Sequence, residues 1–424
     1  MQNTMPSNID NATTALVLSH ARLPRWLLPE GWPQQAGEPQ RAQLRIENGR
    51  ITQVLAQPAT CNGIDLHGTL VLPGLIEAHA HLDKTFTRQR LGPIEPGLLG
   101  AIAATQLDRR QWTRDDLHQR SQRALRQAAS HGVSLLRSHV DWWSAAAPPA
   151  WSLLADLAQD SPVELQRVAL VPLPLFANKS DATLIARQVQ QYGGVLGAFI
   201  HTSNDNDAAL RQLLDVATHH GLDLDLHVDE ELSPHANGLA RVAQYAQAIG
   251  FAGRIVCSHA CSLAAQPAEV ASHTLDSVAR APITLLALPS TNLMLQDAVA
   301  GRTPRQRGLT LIKEARERGI PLLLGTDNVQ DAFCPTGRYD PVQTLQLAVL
   351  TGQLADAFDQ ASQAICRRDW LATPQARPTL IGAPAELTLF HSHSAFTWPA
   401  DPERSLLRGH HLPDAFLAHL RSLT

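Results

Sequence analysis

Residues 72–83 read LPGLIEAHAHLD, an apolar run that ends in the pair His79 and His81. Side chains alternate between the two faces of a β-strand, so residues two apart point the same way. Two imidazoles emerging together at a strand's end provide half of a transition-metal site. The stretch therefore predicts a buried strand, and the remaining ligands are expected further along the chain.

Seven more apolar runs follow, mostly separated by stretches long enough for a helix. With the first run, the predicted strands are residues 72–79, 133–140, 164–173, 195–201, 222–228, 254–259, 283–288 and 320–326. Strands that alternate with helices predict a parallel sheet with right-handed crossovers, and eight strands close a (β/α)8 TIM barrel. An open α/β sheet is the structural alternative.

Two segments between the strands are also informative. Thr113 is a candidate N-cap, with Asp116 in place of the Glu or Gln of a capping box and Gly132 beyond the helix end. Residues 91–111, rich in Gly and Leu, are predicted to form a loop or short helix over the barrel mouth.

Both chain ends carry strand-like runs of their own. Residues 14–21 and 43–56 alternate in character, and a hairpin turn is predicted at 46–51. A further strand is predicted within 384–390. These runs predict a small β-sandwich domain built from residues 10–72 and 378–424, beside a barrel domain of residues 73–377.

Composition excludes several classes of protein. The chain has 424 residues, is 44% hydrophobic and 17% charged, and carries a formal net charge of -4, which is typical of an ordinary soluble globular protein. Its basic residues are scattered, so nucleic acid is not an expected partner. No apolar run reaches the roughly 18 residues of a membrane span, and the first ten residues do not resemble a secretory signal. A homo-oligomer is expected.

The cysteines indicate a reducing compartment. There are five, an odd number, and no C-x-x-C pair occurs. A disulfide framework is therefore not expected, and a cytoplasmic location fits best. Cys257 and Cys261 bracket His259, but we interpret both as small buried apolar residues, as free cysteines commonly are.

Histidines and carboxylates are concentrated where the predicted strands end, which is the edge that carries the active site in such barrels. They are His79 and His81 after the first strand, His139 and Asp141 after the second, His227 after the fifth, His259 after the sixth, and Asp327 after the eighth. Imidazole and carboxylate ligands suit Zn²⁺ or Fe²⁺. His79, His81, His227 and Asp327 are the predicted ligands, with a further position left for water.

The implied chemistry is hydrolysis of a carbon–nitrogen bond or another polarised carbon centre. A bound metal lowers the pKa of water toward ~7 and provides hydroxide at neutral pH. Glu230 is the predicted proton shuttle, with its neighbours Asp229 and Glu231 as alternatives. His259 is expected to hydrogen-bond the hydroxide or the oxyanion, and Asp327 to take the proton of the water.

Taken together, these motifs resemble the amidohydrolase superfamily and, within it, the cytosine deaminase branch. The matching elements are Pro73-Gly74, residues 79–83, 137–141 and 227–230, Ser258-His259, residues 292–296, 305–310 and 312–314, and Asp327-Asn328. The resemblance implies a barrel with a small β-sandwich, one divalent metal on the four ligands above, and the same roles for Glu230 and His259. Two-metal relatives use a lysine at the end of the fourth strand, and residues 195–201 contain none, so a single metal is expected.

The substrate is expected to be a heterocycle other than cytosine. Similar cytosine deaminases carry a Pro-Gln pair after the third strand and two aspartates after the eighth. Leu175 stands at the place of the glutamine and Asn328 at that of the second aspartate. Because leucine would leave the polar edge of a pyrimidine unpaired, we predict poor activity on cytosine. Lys84 and His139 are further candidate substrate contacts.

The resemblance leaves three reactions open. The first is deamination of another amino-substituted ring, the second is hydrolysis of an exocyclic N-alkylamino group or ring amide, and the third is cytosine deamination itself. A binding protein on the same scaffold is disfavoured because all four ligands, Glu230 and His259 are present.

Overall fold

The computed structural model describes residues 15–33, 40–56, 63–355, 358–372 and 378–423. The chain divides into two compact units. One contains the described residues up to Pro73 together with those from Thr379 onward, and the other is Gly74–Pro378.

Strands and helices are numbered along the chain. The strands are β1 (Leu16–Leu23), β2 (Gln40–Glu47), β3 (Arg50–Ala56), β4 (Ile64–Asp65), β5 (Val71–Pro73), β6 (Leu75–Ala80), β7 (Val133–Asp141), β8 (Glu164–Pro172), β9 (Val195–Ile200), β10 (Leu224–Val228), β11 (Ile255–His259), β12 (Ile283–Ala287), β13 (Leu322–Leu324), β14 (Glu386–Phe390) and β15 (Arg404–Arg408). The α-helices are α1 (Leu98–Asp108), α2 (Arg114–Ser130), α3 (Pro149–Gln159), α4 (Lys179–Gln191), α5 (Asp207–His220), α6 (Gly238–Ala248), α7 (Ala268–Ala279), α8 (Pro289–Leu295), α9 (Ile312–Glu317), α10 (Pro341–Thr351), α11 (Phe358–Ala361) and α12 (Asp414–Ser422).

The smaller unit contains two sheets built from both chain ends. One has the order β3-β2-β1-β4 and the other β15-β14-β5. The predicted hairpin is confirmed, since β2 and β3 pair antiparallel through Ile46 and Ile51. The predicted C-terminal strand is confirmed as β14, which pairs with both β15 and β5.

The larger unit is the predicted (β/α)8 barrel. Its eight strands, β6 to β13, lie in chain order as parallel neighbours. The first and last strands meet beyond β13, where a parallel bridge joins Ala80 to Asp327 and the Asp327 N–H donates to the His79 carbonyl at 2.8 Å. Closure therefore occurs at the predicted ligands themselves. Buried aliphatic side chains form a core cluster within this unit, namely Ile76, Ala78, Leu135, Val256, Leu286, Leu288, Leu323 and Leu371.

The helix predicted after Thr113 is α2. The Thr113 hydroxyl accepts a hydrogen bond from the Asp116 N–H at 3.1 Å, as an N-cap does. The Asp116 carboxylate does not complete a capping box among the described residues, because it pairs with Arg90 and Arg120 instead.

The interpretation of the cysteines is also confirmed. Cys257 lies within β11 and Cys261 just after it, and both are buried free thiols. Cys334 and Cys366 are likewise buried and free. Cys61 lies outside the described residues.

Candidate metal centre and active-site cavity

Four side chains at the carboxyl ends of the barrel strands form a compact cluster. They are His79 on β6, His81 just beyond it, His227 on β10 and Asp327 after β13, and one donor atom of each lies within 4.8 Å of the others. All four are buried, with exposures between 0% and 4%. The structure thus brings together the four residues that the sequence nominated as ligands.

The orientation of the rings suits a cation. His79 Nδ1 lies 3.0 Å from Ser258 Oγ, and its Nε2 has no hydrogen-bond partner among the described residues. His81 Nε2 lies 3.0 Å from Asp327 Oδ1 and 3.4 Å from His227 Nε2. At most one proton fits between the facing Nε2 atoms of His81 and His227, and His79 Nε2 has no partner among the described residues, whereas one divalent cation accepts lone pairs from all three rings and the carboxylate. The donor set therefore fits a metal ion.

Electrostatics favour the protonation states that bind metal. Burial, followed by repulsion from neighbouring imidazoles, lowers the pKa values of His79 and His227 well below the ordinary value for histidine. Burial and then Lys84 lower the pKa of His81 in the same direction. Neutral imidazole is the form that coordinates a metal.

Glu230 and His259 adjoin the cluster. Glu230 lies two residues beyond β10 and is 4% exposed, and its Oε1 is 3.5 Å from His259 Nδ1. Burial, followed by the nearby Asp327 carboxylate, raises the pKa of Glu230 well above its usual range. A carboxyl with a raised pKa keeps its proton to higher pH than an ordinary glutamate, which suits general acid–base work.

Asn292 sets the orientation of His259. Its Oδ1 lies 3.0 Å from His259 Nδ1, and both residues are buried. Because a side-chain amide oxygen only accepts, Nδ1 carries the proton. The lone pair is then on Nε2, which has no hydrogen-bond partner in the described part of the chain. His259 can therefore accept a hydrogen bond through Nε2.

The carboxylates of Asp229 and Glu231, on either side of Glu230 in the chain, accept hydrogen bonds from other residues. The Asp229 carboxylate accepts hydrogen bonds from the Gly238 and Leu239 N–H groups. The Glu231 carboxylate accepts from the backbone N–H and the hydroxyl of Thr202. Of these three consecutive acids, all within the described segment, Glu230 is the one that lines the cavity.

The cluster opens into a cavity of about 240 Å³. Its walls are largely aromatic and aliphatic, and they include Leu98, Ile102, Thr105, Trp142, Trp143, Leu170, Pro172, Phe199 and Phe333. Leu98, Ile102 and Thr105 belong to α1, so the segment predicted to cover the barrel mouth is a helix that contributes one wall. Such a pocket suits a flat, apolar-faced ligand with polar edges.

Two predicted substrate contacts line this cavity. Lys84 Nζ lies 2.7 Å from Asp141 Oδ2 and 5.0 Å from the centre of the Phe333 ring. Asn328 Nδ2 donates to Asp331 Oδ2 at 2.7 Å. Both side chains thus already have polar partners, while they remain on the cavity wall.

The other two, His139 and Leu175, lie outside the described cavity wall. His139 is fully buried, with its ring stacked 3.8 Å from that of His79. Leu175 is half-buried on the 3-10 turn Leu173–Ala177 that follows β8. Neither is among the described residues that line the cavity, because the wall takes its β8 residues, Leu170 and Pro172, from the strand itself.

Sequence reasoning missed the aromatic wall. Trp142 and Trp143 directly follow Asp141, a residue already recognised at a strand end, and Phe199 lies on β9. The signal was available in the two consecutive tryptophans after a polar strand end. Phe333 had no such signal, since it reaches the cavity from the loop after β13.

Comparison with known proteins identifies the class. The model of the amidohydrolase family matches residues 98–373. The chain is also 33% identical over 393 residues to a pterin deaminase of Rhizobium rhizogenes, an alignment that covers 90% of each protein. This protein therefore belongs to the amidohydrolase family and is a hydrolase of carbon–nitrogen bonds.

Solved structures share the fold. A 5-methylcytosine deaminase from Klebsiella pneumoniae superposes with a TM-score of 0.76 at 22% identity, covering 94% of this chain and 97% of that one. N-isopropylammelide isopropylaminohydrolase from Burkholderia multivorans gives a TM-score of 0.69 at 20% identity, with 94% and 98% covered. Within the part of the chain that the structure describes, no helix has the length and apolar character needed to cross a membrane.

Proposed function

We propose that this protein deaminates a bicyclic 2-amino-4-oxo heterocycle of the pterin class. The proposal rests on one observation. The four candidate metal ligands, Glu230 and His259 lie together at one end of a cavity with aromatic walls. The 33% identity to a pterin deaminase over most of both chains supports this substrate class.

We assign a single divalent ion, Zn²⁺ or Fe²⁺, to His79, His81, His227 and Asp327. When bound, such an ion acts as a Lewis acid and lowers the pKa of a coordinated water toward ~7. The absence of lysine from β9 supports one ion rather than two.

The residues around the ion divide the proton transfers among them. The oxygen of water forms a bond to the ring carbon that bears the amino group, and the Asp327 carboxylate takes a proton of that water. His259 accepts a hydrogen bond from the attacking oxygen through Nε2. Glu230 delivers its proton to the ring nitrogen. It then carries the remaining proton of the added hydroxyl to the departing amine, so that the C–N bond breaks, ammonia leaves and a ring carbonyl remains, and the proton held by Asp327 restores the acid form of Glu230.

Substrate recognition is assigned to the remainder of the cavity wall. Trp142, Trp143, Phe199 and Phe333 provide flat apolar surface for the ring faces. We assign contacts with the ring heteroatoms to Lys84 and Asn328. The β8 residues on the wall, Leu170 and Pro172, have no polar side-chain atom, which supports poor activity on cytosine.

A substrate panel tests the proposal. Metal-loaded protein is incubated with pterins, purines, amino-pyrimidines including cytosine, and N-alkylamino triazines, with ammonia and alkylamine measured separately. We expect ammonia from pterins and little from cytosine. Alkylamine as the main product, or turnover of cytosine above that of every pterin, would overturn the substrate assignment. The absence of product from the whole panel would overturn the reaction.

Metal dependence is tested in the same assay. Removal of the ion by a chelator is expected to abolish ammonia release, and added Zn²⁺ or Fe²⁺ is expected to restore it. The matched control is the Asp327→Asn variant, which should bind less metal and not recover. Full activity after the metal has been removed would contradict the proposed site.

Several broader assignments remain proposals. We propose that residues 73–377 form the hydrolase domain and that residues 10–72 and 378–424 form a supporting β domain. We further propose that the protein is a cytoplasmic homo-oligomer that acts on small molecules and does not bind nucleic acid. Light scattering tests the oligomeric state, and cell fractionation tests the location.

A further inference from the structure

Asp229 lies in the chain between the predicted ligand His227 and the predicted proton shuttle Glu230. Its carboxylate accepts hydrogen bonds from the N–H groups of Gly238 and Leu239, each at 3.0 Å. These groups lie at the start of α6, where the first N–H groups of a helix have no intrahelical partner. Asn237, which precedes α6, makes no side-chain cap to the described helix start. Asp229 therefore caps this helix from eight residues before its N-cap position.

The backbone of Asp229 is held as well. Its φ is +51°, in the left-handed region that costs energy for a residue with a Cβ. Its N–H donates to the Ile200 carbonyl at 3.0 Å, and its carbonyl accepts from the Ser262 N–H at 3.3 Å. Bonds to β9, to α6 and to the segment after β11 therefore fix this residue on three sides.

Gly238 is fitted to the carboxylate. A Cβ added at this position would lie 2.6 Å from Asp229 Oδ1 and 2.9 Å from Ile200 Cγ2. Both distances are shorter than carbon contacts allow, so any larger residue would displace the carboxylate or the helix start. The sequence thus combines an acid at 229 with the one residue type at 238 that lets it reach the helix.

We propose that Asp229 is a positioning residue that acts through Glu230. By fastening the helix start to the end of β10, it fixes the backbone from which the Glu230 side chain enters the cavity. A second contact supports the same segment, since Gln296 Nε2 donates to the Glu230 carbonyl at 3.3 Å. The inference rests on the proposed role of Glu230 in proton transfer.

Steady-state kinetics of variants test the role. Asp229→Ala is expected to lower kcat by about 100-fold, because a displacement of about 1 Å at a catalytic group has an effect of that size. KM should change less than threefold and metal content should stay at the wild-type level. Asp229→Asn retains one side-chain acceptor and should recover part of the loss, and Gly238→Ala should reproduce the defect with the acid in place.

The control is Asn178→Ala. Asn178 caps α4 through the N–H groups of Ser180 and Asp181, at 2.9 and 3.2 Å, and does not line the cavity among the described residues. The Asn178→Ala variant removes the same number of capping bonds and should leave kcat within twofold of wild type.

A double variant separates positioning from general destabilisation. In a Glu230→Gln background, Asp229→Ala should lower kcat less than threefold further, because residues that act as a unit are non-additive.

Hydrogen exchange gives a reading that does not depend on activity. Backbone amides of residues 230–239 should exchange faster in Asp229→Ala and Gly238→Ala, and at the wild-type rate in Asn178→Ala. Unchanged exchange, kcat within threefold of wild type, a loss that parallels metal loss, or full additivity with Glu230→Gln would each overturn the inference. If wild-type protein released no ammonia from any ring, the proposed function would fail, and exchange alone would decide whether Asp229 holds this segment.

Discussion

Replacing Asn292 with leucine is expected to slow turnover without removing the metal. The change deletes the acceptor that lies 3.0 Å from His259 Nδ1, inside a site where Asn292 is 0% and His259 1% exposed. A buried donor left without a partner costs about 1–3 kcal/mol. His259 avoids that cost by rotating or by moving its proton to Nε2, and either change removes the lone pair from the reacting oxygen. The active arrangement then becomes a minor state. Because 1.36 kcal/mol corresponds to a tenfold change in rate, the cost of about 1–3 kcal/mol should lower kcat about 5- to 150-fold.

The assay is ammonia release from a pterin, measured alongside thermal unfolding and bound metal. Thr284→Val is the matched control, because Thr284 is buried and the change removes a 2.7 Å hydrogen bond from its hydroxyl to the Trp370 carbonyl. Thr284 is not among the described cavity residues, so this variant should lose comparable stability and keep its kcat. A kcat of Asn292→Leu within twofold of wild type would refute the reasoning, as would an equal fall in both variants.

Three further predictions concern residues at or beside the cluster. Glu230→Gln should lower kcat by about 10²- to 10⁴-fold with unchanged metal content, whereas the kcat of Glu231→Gln should stay within threefold of wild type. Equal effects of the two changes on ammonia release would contradict a proton-transfer role for Glu230. Gly325→Ala places a Cβ 2.8 Å from His79 Cβ, so the free energy of unfolding should fall by about 1–3 kcal/mol and the metal bound per chain should decrease. Calorimetry and elemental analysis measure these two quantities, and wild-type values of both would contradict the prediction. Lys84→Met should raise KM about tenfold or more with kcat within threefold, and a change confined to kcat would contradict a binding role.

The periodicity of the sequence was sufficient for the barrel. Apolar runs that are buried on both faces have few alternatives to parallel strands, and each predicted run overlaps an observed strand. The four nominated ligands came from the same regularity. A polar residue at the end of a buried strand reaches the same edge of the barrel whichever helices connect the strands, so position along the chain was a good guide to position in space.

Chain position was a poor guide within the loops. Asp229, Glu230 and Glu231 are consecutive acids, and nothing in their order shows which one enters the cavity. The left-handed φ of Asp229 and the two N–H groups at the start of α6 decide it, and these belong to residues nine and ten positions away. Leu175 gives a related example, because it lies on the 3-10 turn after β8 and is not among the described residues of the cavity wall.

The sequence by itself determined the architecture and the reaction chemistry of this protein. Strand periodicity specifies the barrel, and the types of residue at the strand ends predict a metal and nominate its ligands. The cavity was decided only by the tertiary structure. Trp143, Phe199, Phe333 and the residues of α1 come from separate segments, and only closure of the barrel at Ala80 and Asp327 brings these segments together around His79 and His81. Substrate choice depends on such non-local contacts, whereas the candidate ligands could be nominated because each stands at the end of a buried strand.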